Sequence, residues 1–230
     1  MKIFYGKVFP QVEINEDEQQ HILKVLRMKD GQSLSITDGK GNLAHGKLII
    51  EGKKALLGVE DIQADLPAFT PSLHIAIAPT KNIDRTEFFV EKATEMGISE
   101  ITFLQTDNSE RKNINIEKIR KQAIAASKQS LRVHFPIVND LVKLRDFLKI
   151  IEPEKTFVAH CDRSLVRIPI QELKVENRLT LLIGPEGDFS TAEIEQLSTL
   201  GIRAVTLGSQ RLRTETAGVY AAAFIYSKMK

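Results

Sequence analysis

The chain has 230 residues, of which 42% are hydrophobic and 27% charged, and a formal net charge of +2. That is room for one large soluble domain or a small one plus a medium one, and any basic surface must be a local patch. The single cysteine, Cys161, excludes an intramolecular disulfide and a CxxC motif, the five histidines lack HExxH-type spacing, and no apolar run could span a bilayer. No metal or membrane is expected, and a cytoplasmic location is.

The first part of the chain reads as short strands and tight turns. Residues 3–8 form a strand candidate and 16–26 a short helix. Residues 34–39 alternate apolar and polar before a turn, and 42–51 with 53–62 read as a hairpin turning at Glu51-Gly52. A small β-barrel would close such strands without exposed edges. Asp65-Leu66-Pro67-Ala68-Phe69-Thr70-Pro71 reads as a linker, so domains of 1–67 and 72–230 are expected.

After the linker the pattern becomes strand-helix alternation. Strands are predicted at 73–78, 101–104, 156–159, 179–183 and 204–207. Helices are predicted at 84–96, 116–131, 141–150 and 214–227, with another opened by the capping box Ser190 and Glu193. This is an α/β domain with a mostly parallel sheet covered on both faces. The last helix, rich in alanine between 217 and 225, is expected in the core or at a dimer interface.

Ligands of such sheets bind at the C-terminal ends of strands. Two glycine turns lie there: Gly184-Pro185-Glu186-Gly187 after one strand and Leu207-Gly208-Ser209-Gln210-Arg211-Leu212-Arg213-Thr214-Glu215 after the next. Neither is a Walker A loop or a GxGxxG fingerprint. Each could be an ordinary strand-to-helix turn, with Thr214 as a helix cap. The charge packed between a buried strand and a helix of small residues favours a site. Lys81 and Arg85 follow the first strand of the α/β part, as site wall or as solvated surface. At roughly 100° per residue, with the helix read from 116 to 132, Lys118, Lys121, Lys128 and Arg132 share one face, with Arg111 and Lys112 just upstream. Such a stripe is either a solvated face or a footprint for phosphate contacts.

Taken together, His21-Ile22-Leu23-Lys24-Val25-Leu26-Arg27, Glu91-Lys92-Ala93-Thr94-Glu95-Met96-Gly97-Ile98, Ala126-Ser127-Lys128-Gln129-Ser130-Leu131-Arg132, Ile183-Gly184-Pro185-Glu186-Gly187 and Leu212-Arg213-Thr214-Glu215-Thr216-Ala217 span nearly the whole chain. In these motifs the chain resembles the bacterial 16S ribosomal RNA uracil-N3 methyltransferases of the RsmE family, within the SPOUT class. It departs from many members at Lys128, where they carry an acidic residue, at Asp188, where they carry glycine, and in the Gln210-Arg211 turn.

The resemblance implies a PUA-like β-barrel for RNA, followed by a SPOUT-like trefoil-knotted α/β methyltransferase domain that binds S-adenosylmethionine. It also implies a homodimer and methylation of N3 of the uridine at position 1498 of 16S rRNA in the 30S subunit. On this reading Arg213, with Arg85 as second candidate, would stabilise charge on the uracil, and Glu215 would accept its proton or orient an arginine. The cofactor would be held around Ile183, Gly184, Gly187, Leu207, Gly208, Leu212 and Thr214, and a branched side chain at Gly184 should obstruct it. Lys24, Arg27, Arg111, Lys121, Lys128 and Arg132 would contact RNA. Two other readings stay open: a non-catalytic RNA-binding module, and a nucleotide hydrolase or transferase using the glycine turns as phosphate cradles. The lack of a G-K-[ST] loop weighs against the second, and the Arg213-Thr214-Glu215 core against the first.

Overall fold

The computed structural model describes residues 2–162 and 165–229. They group into two compact units, Met1–Ala68 with Ile124–Phe135, and Phe69–Ala123 with Pro136–Lys230. The segment Ile124–Phe135 therefore groups with the N-terminal residues, which a single cut in the linker does not anticipate. No helix among the described residues is long and apolar enough to cross a membrane.

The first unit is built on β1 (Ile3–Lys7), β2 (Glu13–Ile14), β3 (Ser33–Thr37), β4 (Leu43–Glu51) and β5 (Lys54–Gln63), in the order β2-β1-β3-β4-β5. It is a PUA-like curled sheet, a half-barrel whose ladder ends at β2 and β5 rather than closing. The hairpin register pairs Glu51 with Lys54, and Gly52 takes φ +61°, the left-handed conformation that a two-residue hairpin turn requires. Helix α1 (Glu16–Gln20) runs on as a π-helical turn over His21–Val25 and ends at Arg27, φ +48°. Phe4, Ile14, Ile22, Leu34, Ile36 and Leu48 form the core of this unit.

The second unit holds a seven-stranded, wholly parallel sheet. Its strands are β6 (Ser72–Ile77), β7 (Glu100–Gln105), β8 (Ile137–Lys143), β9 (Thr156–Ala159), β10 (Ile168–Pro169), β11 (Arg178–Ile183) and β12 (Arg203–Thr206), in the order β10-β12-β9-β11-β6-β7-β8. Its helices are α2 (Ile83–Glu95), α4 (Leu144–Phe147), α5 (Thr191–Thr199) and α6 (Thr214–Tyr226), together with the part of α3 (Ile116–Gln129) up to Ala123. Alternation along β11 sends Leu181 and Ile183 into one apolar cluster with Phe89 and Ala221, and Leu182 into the other with Phe147 and Leu197. Burial on both faces explains why these strands read as unbroken apolar runs.

Two helices differ from expectation. Residues 141–150 do not form one helix: Ile137–Lys143 is the edge strand β8, and only Leu144–Phe147 is helical. The sheet partner β7 outweighs a helical pattern that is less than three turns long. Helix α3 stops at Gln129, and Leu131 adopts φ +57°. A 100° projection through Arg132 therefore fails.

Candidate active site

At the C-terminal ends of the parallel strands, the turns after β9, β11 and β12 enclose a cavity of about 320 Å³. Ile183, Gly184, Leu207, Gly208, Leu212 and Thr214 all line it. Gly208 sits at φ +144°, where an L side chain is strained, so the wall there is bare backbone. Thr214 is buried at the start of α6, and its Oγ1 donates to the Gly184 carbonyl at 3.0 Å. That bond joins the two glycine turns. The N-cap position of α6 belongs to Arg213, and Thr214 is its first helical residue.

Charged and amide side chains tie the surrounding turns by bonding to backbone. Glu186 Oε1 accepts from the Lys81 amide at 3.0 Å, and Arg211 Nη2 donates to the Glu186 carbonyl at 3.1 Å. Arg111 Nε and Nη2 donate to the carbonyls of Thr80 and Lys81 at 2.9 and 2.5 Å. Asn108 Nδ2 donates to the carbonyls of Gly187 and Asp188, both at 3.1 Å. Asp188, at φ +63°, receives the Phe189 amide on Oδ1 at 2.9 Å and the Cys161 amide on Oδ2 at 2.7 Å, linking the β11 turn to the β9 turn.

The β9 turn adds two titratable groups to the wall, His160 and Cys161. Burial pushes the His160 pKa below its ordinary 6.5, against the opposing pull of Asp188, so the ring is neutral near pH 7. Burial first, then the Asp188 carboxylate, pushes the Cys161 thiol up and keeps it protonated. Beside the cavity, Glu215 is 7% exposed in the first turn of α6. Its Oε1 lies 3.9 Å from Arg85 Nε, while its Oε2 is buried without a hydrogen-bond partner among the described residues. The arrangement is a mixed apolar and polar pocket, with Arg213 on its wall and a buried carboxylate beside it.

The RNA methyltransferase domain family matches residues 68–226, and the RNA methyltransferase PUA domain family matches 14–61. The chain belongs to the RsmE family of RNA methyltransferases. It is 34% identical to a probable rRNA-methyltransferase from Porphyromonas gingivalis of known crystal structure, covering 99% of this chain and 98% of that one, with a TM-score of 0.90. It is 29% identical to the ribosomal RNA small subunit methyltransferase E of Rickettsia conorii, over 93% of this chain and 88% of the relative. The fold is also that of the ribosomal RNA small subunit methyltransferase E from Neisseria gonorrhoeae, solved bound to S-adenosyl methionine, at a TM-score of 0.83 and 22% identity.

Within this family frame, the residues singled out from sequence separate. Six of the seven cofactor candidates line the cavity; Gly187 does not. A Cβ on Gly187 would meet the Asn108 side chain at 3.2 Å, so that glycine serves the packing of the turn. A Cβ on Gly184 would meet the Phe189 ring at 3.1 Å, so a side chain there strikes the core rather than a ligand.

The basic stripe is dispersed. Lys118 pairs with Glu87 at 2.5 Å, Lys128 pairs with Glu18, and Arg132 is buried beyond the end of α3. Lys121 alone of the four is exposed and outside any ion pair among the described residues. Arg111 is engaged by backbone carbonyls, whereas Lys24 and Arg27 are exposed in the first unit. The sequence reading missed His160, Cys161, Arg167 and Asp188, all on the cavity wall. The signal was available: His160 and Cys161 directly follow a buried parallel strand, where such sites form.

Proposed function

We propose that this protein uses S-adenosylmethionine to methylate N3 of a uridine in 16S ribosomal RNA of the small subunit, position 1498 by family resemblance, acting as a cytoplasmic homodimer. The observation that carries this reading is the cavity between the two turns that bear the family's motifs, with Arg213 on its wall and the buried Glu215 beside it. Its size falls in the range of small-molecule sites. Its surfaces suit an adenosyl group bearing an amino acid: apolar Ile183, Val205, Leu207 and Ala217, bare backbone at Gly208, and charged groups at Asp188, Arg167 and Arg211.

When bound, the cofactor supplies a methyl group already activated by its sulfonium. The remaining task is to raise the nucleophilicity of a uracil N3 that carries a proton. The guanidinium of Arg213 stabilises the negative charge that spreads to the flanking carbonyl oxygens as the proton leaves. Glu215, directly after Thr214 of the wall, takes that proton through a water or orients Arg85, whose Nε lies 3.9 Å from its Oε1.

Single-turnover methylation of 30S particles, followed by mass mapping of 16S rRNA, tests this reading. We expect one N3-methylated uridine. In Arg213→Ala we expect a rate lower by about a hundred- to a thousandfold, as for the loss of one charge-stabilising donor. The defect should persist at saturating RNA and shrink as the pH is raised. Near-normal turnover in Arg213→Ala would reduce this residue to a binding role, and an unmodified 16S rRNA would refute the function.

A further inference from the structure

A second cavity at the same end of the sheet is separate from the one described above. It measures about 420 Å³ and lies between the C-terminal ends of β7 and β8 and the first turn of α5. Three cations line it: Lys112, Lys143 and Arg145, all exposed. Lys112 and Lys143 enter no ion pair among the described residues, and Arg145 has only a contact of 3.7 Å with Asp146, itself held by Lys149 at 2.8 Å.

The two carboxylates on the groove wall are turned to other work. Asp107 Oδ2 accepts from Ser190 Oγ at 2.7 Å. Glu193 receives the Asp107 amide on Oε1 and the Ser190 amide on Oε2, both at 2.9 Å. The groove thus sets three cations against two carboxylates that are fixed by neutral hydrogen-bond donors, leaving an excess of positive charge. It lies across one turn from the candidate active site: Glu186 and Asp188 line the first cavity, and the same segment continues into Ala192 and Glu193 on the groove.

We propose that Lys112, Lys143 and Arg145 form a phosphate-binding groove that takes the RNA backbone flanking the target nucleotide. The inference rests on the RNA-methylating role proposed above. It reassigns the grip on the RNA from the α3 stripe, whose members are mostly engaged by protein, to cations that have kept their charge free. Structured RNA is held by such contacts while the reacting base is turned out into its pocket. The groove's position lets one strand lie along the rim with a single base entering the neighbouring cavity.

The test is binding of the full-length Lys112→Ala/Lys143→Ala/Arg145→Ala protein to 30S particles across a salt series. For three lost contacts, the slope of log affinity against log salt falls by about 2, and affinity at 0.1 M salt falls about a hundredfold. S-adenosylmethionine affinity by calorimetry and the melting temperature stay at wild-type values, which excludes misfolding. Lys143→Glu alone gives a larger loss than Lys143→Ala. Wild-type affinity and slope in the triple variant, with a wild type that binds and methylates 30S particles, would overturn the groove and leave the function standing. A wild type that neither binds nor methylates them would overturn the function itself.

Discussion

Thr214→Val tests whether the two glycine turns act as one site. The substitution keeps the shape of the side chain and removes the hydroxyl that donates to the Gly184 carbonyl at 3.0 Å. Both residues are buried. The lost bond together with the orphaned carbonyl costs about 2 kcal/mol. For a chain of this size that lowers Tm by about 4–8 °C. Since Gly184 and Thr214 both line the cavity, loosening one turn from the other should weaken S-adenosylmethionine binding about tenfold, or about 1.4 kcal/mol. Thr214→Ser keeps the hydroxyl and should restore cofactor affinity. Differential scanning calorimetry and isothermal titration measure the two effects separately. A Thr214→Val protein that melts with wild type and binds the cofactor equally would show that the bond does not hold the site together.

Three further outcomes are expected. Burial holds His74 near pKa 4 against an ordinary 6.5, the nearby Glu100 carboxylate opposing and Arg178 assisting. Above pH 6.5 both folded and unfolded chains carry it neutral; between about 4 and 6.5 only the unfolded chain takes the proton. Stability should therefore drop by up to about 3 kcal/mol as pH falls through that window, and denaturant titrations of His74→Gln should lack this component. Gly184→Ala should destabilise by about 1–3 kcal/mol through overpacking against Phe189, and the double variant with Phe189→Leu should recover part of the loss. Lys128→Met should cost about 3 kcal/mol by leaving the largely buried Glu18 carboxylate unpaired, while the salt slope of RNA binding stays unchanged; a changed slope would return Lys128 to the RNA surface.

Local rules made much of this protein legible. The apolar runs at β6, β9 and β11, the Ser190–Glu193 capping box and the Glu51-Gly52 turn depend on neighbours within a few residues, and all appear in the structure. The two glycine turns stood out for the same reason: a break in an apolar run followed by a helix start marks the end of a parallel strand wherever it occurs. The family motifs added the chemistry.

What the sequence could not supply was the state of each charge. The spacing of Lys118, Lys128 and Arg132 is a property of one helix, but an ion pair needs a partner, and Glu87 and Glu18 lie 31 and 110 positions away in sequence. The same holds for Arg111, drawn to the carbonyls of Thr80 and Lys81, and for Gly184, whose neighbour in space is Phe189. Periodicity fixes which way a side chain leaves its own backbone. Only the folded chain decides what it meets there, because Coulomb and packing energies depend on distance in space and not on separation along the chain.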